Sequence, residues 1–368
     1  MTTNILIPDG DSIWTLPVIK CLAFRRDFKV FILSSKKWTA AKCSRSKFYY
    51  KYYPKTDQES WLEIINKEIE SNAIDVVIPI SEIESQFFIK NSNSIVAKAK
   101  VIPLASNLDF ETATYKNRLG AFCEENQIAY PKSRHFDNAD DFFTRGNELK
   151  YPVLLKPVHD LGGNGIVLFD SQKELEIFVS NKKETNDSFF IQEFIDGHDI
   201  DCSVLCLNGE ILTYTIQKGF LLGNNPFAPS HGIEFMDNKE VLEITKLLMK
   251  ALNWSGIAHL DLRYDKIREC YLIIEVNARF WGTIEASRMA NINFPVLLCD
   301  LTMGKNISHT EFKSFKYLSF KGLLKHIIKH PVYAFDIRSI LQSTEAKSVL
   351  NDPLPTLYNL REWVGRKF

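Results

Sequence analysis

At 368 residues the chain exceeds what one hydrophobic core usually organises, so two or three lobes with clefts between them are expected. Its 45% apolar and 24% charged residues exclude a disordered or coiled-coil chain, and 45 basic against 45 acidic side chains remove any global case for nucleic-acid binding. Seven cysteines without a CxxC pair read as reduced thiols of a cytoplasmic protein, and neither a signal peptide nor an apolar run long enough to span a bilayer is evident.

Asn4 to Pro8 reads as a buried strand, and the turn Asp9-Gly10-Asp11-Ser12 leads into a helix over Trp14 to Arg26. Strands over Lys29 to Ser34, Ile74 to Pro79 and Val101 to Leu104, with a helix over Glu59 to Ser71, predict a parallel sheet covered by helices. Ligands of such sheets bind outside the carboxyl ends of the strands, which makes the loops after Ile7, Leu33 and Pro79 candidates. A lone Gly10 does not make a dinucleotide fingerprint. Glu82 either touches a substrate amine or caps a helix, and the general preference for acids in a first turn favours the cap.

Residues 109–131 read as a helix, containing Lys116, that ends in a proline-bearing strand entry. Alone, Lys116 reads as a solvated surface group. Tyr151 to Pro157 is a buried strand with Lys156 near its end, followed by a turn holding Gly162, Gly163 and Gly165 and then by a strand over Ile166 to Phe169. Glycines let main-chain N–H groups approach a phosphate and a neighbouring lysine neutralises it; a plain hairpin loop is the alternative. A helix over Lys173 to Asn181 precedes a strand from Phe189 that breaks at Gly197 and resumes over Cys202 to Leu207. The strand edge there suits adenine, with an acid after the turn for ribose hydroxyls. Leu222 to Glu234 is long enough for a lid or acceptor loop, in which His231 reads as an ordinary turn histidine.

Ala258 to Tyr264 and Cys270 to Val276 alternate as the arms of a half-buried hairpin. Side chains two apart in a strand share a face, so Glu275, Asn277 and Arg279 project together and the other arm brings Asp261 beside them. Two carboxylates, an amide oxygen and a guanidinium suit a metal triphosphate; a solvated strand face with surface ion pairs is the alternative. Phe312 to His330 has the pattern of a basic amphipathic helix, read as packing on the main body with its lysines in water rather than on a membrane. The tail turns at Asn351 to Pro355 into a terminal helix that packs back or joins a partner chain, as in a homodimer.

Strand lysine, glycine loop, Gln192-Glu193-Phe194-Ile195-Asp196-Gly197-His198-Asp199 and Glu275-Val276-Asn277-Ala278-Arg279-Phe280-Trp281-Gly282 stand in an order that resembles the ATP-grasp superfamily over about residues 110–305. More narrowly, the chain is similar to the carbamoyl-phosphate-synthase-like and carboxylate-amine ligase branch. The resemblance implies an α/β (α+β ATP-grasp) fold: a parallel α/β domain over 1–108, an ATP-grasp domain over 109–305 with lobes 109–195 and 196–305, and a helical extension over 306–368.

It also implies ATP and Mg2+ (or Mn2+) as cofactors. Lys116, Lys156, Gly162, Gly163 and Gly165 would hold the phosphates, and Glu193 with the main chain of Phe194 and Ile195 the adenine. Asp199 stands where the family usually has a ribose-binding glutamate. Asp261, Glu275 and Asn277 match the metal ligands, Arg279 the arginine on the transferred phosphate, and Lys218 a basic residue near the terminal phosphate. The implied activity is an ATP-dependent ligase joining a small-molecule carboxylate to an amine through an acyl phosphate, with a carboxylase or carbamoyl-phosphate-type enzyme, or a noncatalytic nucleotide-binding regulator, as alternatives.

Overall fold

The computed structural model describes residues 2–54, 56–157, 165–181, 188–223, 229–307 and 310–365. Three sheets organise them. The first is parallel, with strands in the order Tyr49–Tyr52, Phe28–Ser34, Thr3–Ile7, Val76–Val77 and Lys100–Val101. Its central strands are nearly all apolar because helices cover both faces, as parallel sheets require. The strand order reverses between Thr3–Ile7 and Val76–Val77, so the loops after these two strands border a crevice of the kind where open α/β sheets bind ligands. Buried Asp9 ties the loops together by accepting hydrogen bonds from the Ile80 and Ser81 amides at 3.0 and 2.7 Å. The edge strand Tyr49–Tyr52 escaped sequence reading because its side chains are partly or largely exposed and carry no apolar alternation.

The segment expected as a single helix from residue 109 is two helices, Asn107–Thr114 and Lys116–Glu125. They part at Tyr115, whose backbone is extended, just after Thr114 turns its hydroxyl back onto the Phe110 carbonyl. Lys116 therefore starts a helix. Next comes a four-stranded antiparallel sheet in the order Ser133–Phe136, Phe189–Glu193, Val153–Pro157, Val167–Phe169, packed on a core that includes Phe136, Phe142, Leu155, Leu175 and Ile191.

The third sheet has six antiparallel strands in the order Cys270–Asn277, Gly256–Asp265, Gly197–Leu207, Glu210–Leu221, Gly232–Phe235, Phe315–Leu318. One face buries Ile200, Cys202, Val204, Ile216, Leu260 and Leu262 against helix Lys239–Ala251 and its neighbours. Cys202 and Cys206 both belong to that apolar face and are free thiols. The long strand begins at Gly197, where any Cβ would lie 1.6 Å from the Tyr264 carbonyl oxygen, so only glycine fits.

The basic helix expected over Phe312 to His330 is shorter than the pattern suggested. Phe315–Leu318 is a strand paired with Gly232–Phe235, and the helix proper is Phe320–Lys329, capped by the Ser319 hydroxyl. The sheet thus extends beyond residue 305. Three further helices follow, Ile337–Ser343, Ala346–Asn351 and Leu354–Gly365.

Candidate active site

The polar face of the six-stranded sheet carries the site. Asp201 stands opposite Asp261, and Asp261 opposite Glu275, so three carboxylates form one row across three strands. Two residues along on the same face, Ser203 faces His259 and His259 faces Asn277. Crowding sets the protonation. Burial and then Glu275 and Asp201 hold the Asp261 carboxyl well above its usual range, and burial pushes Asp201 up to about 7, with Asp199 and Glu275 adding to it. Burial also works to raise Glu275, but Lys116, its Nζ 3.7 Å away, followed by hydrogen bonding with Asp261 and the charge of Lys156, carries it below the ordinary value. Asp261 and Glu275 remain 35% and 34% exposed, so this face opens toward solvent and a cation can reach both.

His259 is locked as a neutral ring. Its Nδ1 lies 2.8 Å from the Ser203 hydroxyl, its Nε2 3.4 Å from Asp261, and its face stacks on Trp281 at 5.4 Å between centroids; burial lowers its pKa to about 3. Gln217 donates to Asp201 at 2.9 Å and accepts from the Thr283 hydroxyl at 3.0 Å, which orients the first acid of the row.

Cations approach from three elements. Lys116 comes from the helix that begins after Tyr115. Lys156 is buried, donates to the Gln192 side-chain oxygen at 2.6 Å, and is pulled down to about 8 chiefly by burial, an effect that Glu275 opposes. The Gln192 amide nitrogen is buried with no hydrogen-bond partner among the described residues. Arg279 follows the hairpin and donates to the Asn277 side-chain oxygen at 2.6 Å and to the Phe280 carbonyl at 3.1 Å. Its Nε lies 3.7 Å from Glu82 and its Cζ 3.9 Å from the Trp14 ring centroid, both residues of the N-terminal crevice. Glu82 starts the helix capped by Ser81, and its carboxylate accepts from the Ala278 amide at 3.1 Å, so it joins the crevice to the hairpin end.

The comparisons bear on the sequence and the fold that carry this row. Residues 185–320 match the family described as ATP-grasp in the biosynthetic pathway with Ter operon. The carbamoyl phosphate synthase large chain of Clostridium botulinum (strain Langeland / NCTC 10281 / Type F) is 24% identical over 243 residues, 63% of this chain and 22% of that protein. That of Clostridium beijerinckii is 22% identical over 267 residues, 70% of this chain and 24% of that one. The chain spans about a quarter of the length of these curated relatives. Among solved structures, an L-amino acid ligase from Bacillus licheniformis superposes with a TM-score of 0.63 at 19% identity, covering 82% of this chain and 74% of that one. N5-carboxyaminoimidazole synthetase from Staphylococcus aureus complexed with ADP gives 0.70 at 13%, covering 90% and 87%. The fold is that of the ATP-grasp proteins.

Within the ATP-grasp frame, the structure brings together Lys116, Lys156, Asp261, Glu275, Asn277 and Arg279. Asn277 turns its NH2 toward Asp261 and Glu275, 3.4 Å from each, and its oxygen toward Arg279, so metal ligation by that oxygen would require the amide to rotate. Gly162 and Gly163 lie outside the described residues, as does the middle of the expected lid, residues 224–228. Gly165, at φ +72°, precedes the strand Val167–Phe169.

At the hinge the Glu193 carboxylate is already committed, accepting from the Lys132 amide at 2.8 Å and pairing with Arg268 at 2.7 Å. The Phe194 amide donates to the Pro152 carbonyl at 3.0 Å and the Ile195 carbonyl accepts from Arg263 at 2.7 Å. Arg263 also pairs with Asp199. Lys218 is not brought to the acids. It stands opposite Ile200 and Glu234, on the face of the sheet away from Asp201, where its charge acts on His198. Gln217, one residue earlier, occupies the acid face instead.

Asp201, His259, Gln192, Gln217, Glu82 and Trp14 all border this site without having been singled out for it by sequence, apart from Glu82. A period-two signal was present for two of them: Asp201 follows Asp199 by two residues, and His259 precedes Asp261 by two.

Proposed function

We propose that the chain is an ATP-dependent carboxylate-amine ligase. A donor carboxylate takes the terminal phosphate of ATP, and an amine then displaces phosphate to form an amide or peptide-like bond, leaving ADP and inorganic phosphate. The observation that supports this best is the row Asp201–Asp261–Glu275 facing Lys116, Lys156 and Arg279 across one cleft. The row fits a hard divalent cation: its oxygen donors are partly open, and burial, with the neighbouring acids adding to it, raises two of its carboxyls, a cost that a bound cation would offset. Asp261 and Glu275, with Asn277 after rotation of its amide, would hold Mg2+ or Mn2+, which offsets charge on the phosphates when bound.

In this reading Lys116 and Lys156 neutralise the nucleotide phosphates. Arg279, steered by Trp14 and Glu82, faces the phosphoryl group as it moves to the donor. Positioning and charge then supply most of the catalysis. The chain works in the cytoplasm, as a homodimer, on small-molecule carboxylates and amines.

Oxygen-18 in the donor carboxylate tests the reaction order. The label is expected in released inorganic phosphate, with ADP as co-product and with a hydroxamate forming when hydroxylamine replaces the amine. AMP and pyrophosphate, with label in AMP, would overturn the proposal. Turnover that requires bicarbonate in place of an organic carboxylate would move the chain to the carboxylase reading.

A further inference from the structure

Helix Phe320–Lys329 packs on the body with one narrow face. Leu323 is buried, and Gly322 sits so close to the His231 carbonyl that a Cβ would lie 2.1 Å from its oxygen. Ile327 is partly covered, and the other apolar side chains of the helix point outward. Phe320 and Leu324 are about half exposed and Ile328 is 79% exposed, each one turn after the last. Past Pro331, in a short 3-10 helix, Val332 and Phe335 are also 82% and 85% exposed. Beside Phe320, Leu324 and Ile328 runs a second row with the same spacing, Lys321, Lys325 and Lys329. From Phe312 to Phe335 the chain carries Lys313, Lys316, Lys321, Lys325 and Lys329 and no acidic residue, in a protein whose 45 basic and 45 acidic residues balance over the whole chain. Lys316 meets Glu234 at 3.7 Å, and Glu345 accepts from the Phe320 amide at the helix start; both acids lie at the Phe320 end, away from Ile328 and Lys329.

We infer that this face rests on an anionic membrane surface. The apolar row Phe320–Leu324–Ile328, with exposed Val332 and Phe335 after it, enters the boundary between headgroups and acyl chains, while the exposed Lys321 and Lys329 meet lipid phosphates. Charge decides for lipid over protein. Lysines are depleted from the cores of protein interfaces, whereas an apolar stripe flanked by lysines is the composition of helices that lie in a bilayer surface. Among the described residues no helix is long and apolar enough to cross a membrane, so the attachment is peripheral and reversible. It places the ATP-grasp cleft beside a lipid surface without altering the chemistry proposed for it.

Flotation of the full chain with vesicles of phosphatidylcholine alone, or of phosphatidylcholine mixed with phosphatidylglycerol, tests this. The chain is expected to float with the phosphatidylglycerol vesicles at low salt, and to partition about tenfold less or worse onto neutral vesicles or at high salt. The double variant Leu324→Glu/Ile328→Glu should lose binding by a similar factor while keeping wild-type thermal stability and ATP turnover, because both side chains already face solvent. The charge variant Lys321→Glu/Lys329→Glu gives an independent reading with the apolar row intact. Failure of the wild-type chain to float with anionic vesicles, or undiminished binding by both variants, would overturn the inference. So would a lipid-free dimer in sedimentation that Leu324→Glu/Ile328→Glu dissociates, because the face would then be an interface between copies of the chain.

Discussion

Trp14 lies under Arg279, with the guanidinium carbon 3.9 Å from its ring centroid. One residue belongs to the turn before the first helix and the other to the end of the hairpin that carries Asp261 and Glu275, so the N-terminal parallel sheet shapes a side chain of the cleft. A cation over an indole face contributes about 0.5–2 kcal/mol, the larger value when water is excluded. Trp14→Ala is therefore expected to lower kcat/KM by roughly two- to thirtyfold. Trp14→Phe should recover most of it, and thermal melting should change little in either case. Equal kinetics for Trp14→Ala and wild type would remove Trp14 from the site.

Glu275→Gln should reduce ATP turnover by on the order of a hundredfold or more, since it removes the carboxylate of the row that is held ionised. Circular dichroism should show an intact fold. Near-normal turnover in a folded sample would sink the metal assignment.

Lys156 supplies a pH test. Burial depresses its pKa to about 8, so the free protein loses this cation as pH rises through that value. Nucleotide affinity measured by calorimetry is expected to fall between pH 7 and 9, with proton uptake on binding at the upper end. Lys156→Met should bind nucleotide more weakly at pH 7 and lose that slope; an unchanged affinity would make Lys156 structural.

Glu84, near Asp9, is pushed up to about 8 by burial and then by the charges of Asp9 and Asp11. Between its ordinary 4.5 and that value the folded chain holds a proton that the unfolded chain releases, so this group makes stability fall as pH rises. Glu84→Gln keeps an oxygen for the Trp61 indole N–H, now 2.8 Å from the carboxylate. It should stabilise the chain at pH 8 by on the order of 1–3 kcal/mol and have little effect below pH 5. Thermal melts at both pH values check the sign.

The hairpin and its Asp261, Glu275, Asn277 and Arg279 were legible because period-two alternation and a short turn are local properties. What pairs with the hairpin is not local. Asp201 joins the row only because a strand sixty residues earlier lies antiparallel to Gly256–Asp265 in one register, and the pairing of that strand with Glu210–Leu221 sets Lys218 opposite Ile200, on the far face. Trp14 and Glu82 reach the cleft through packing between sheets, which leaves no periodic trace. The strand Phe315–Leu318 was hidden because lysines spaced near a helical turn continue through it, and the pairing that decides its state lies in Gly232–Phe235.

That last pairing has a consequence for how the chain is made. Strand Gly232–Phe235 is held on one side by Glu210–Leu221 as soon as both have been synthesised, but its other side stays open until residues 315–318 leave the ribosome. During that interval an exposed strand edge invites pairing with other chains. The helix Lys239–Ala251 and the hairpin of the acid row are translated while that edge is still bare, so the residues of the cleft side of the sheet are made before the sheet can be closed. A chain stopped at residue 305 would keep the acid row and still carry an unprotected edge, and its weakness would be aggregation rather than lost chemistry.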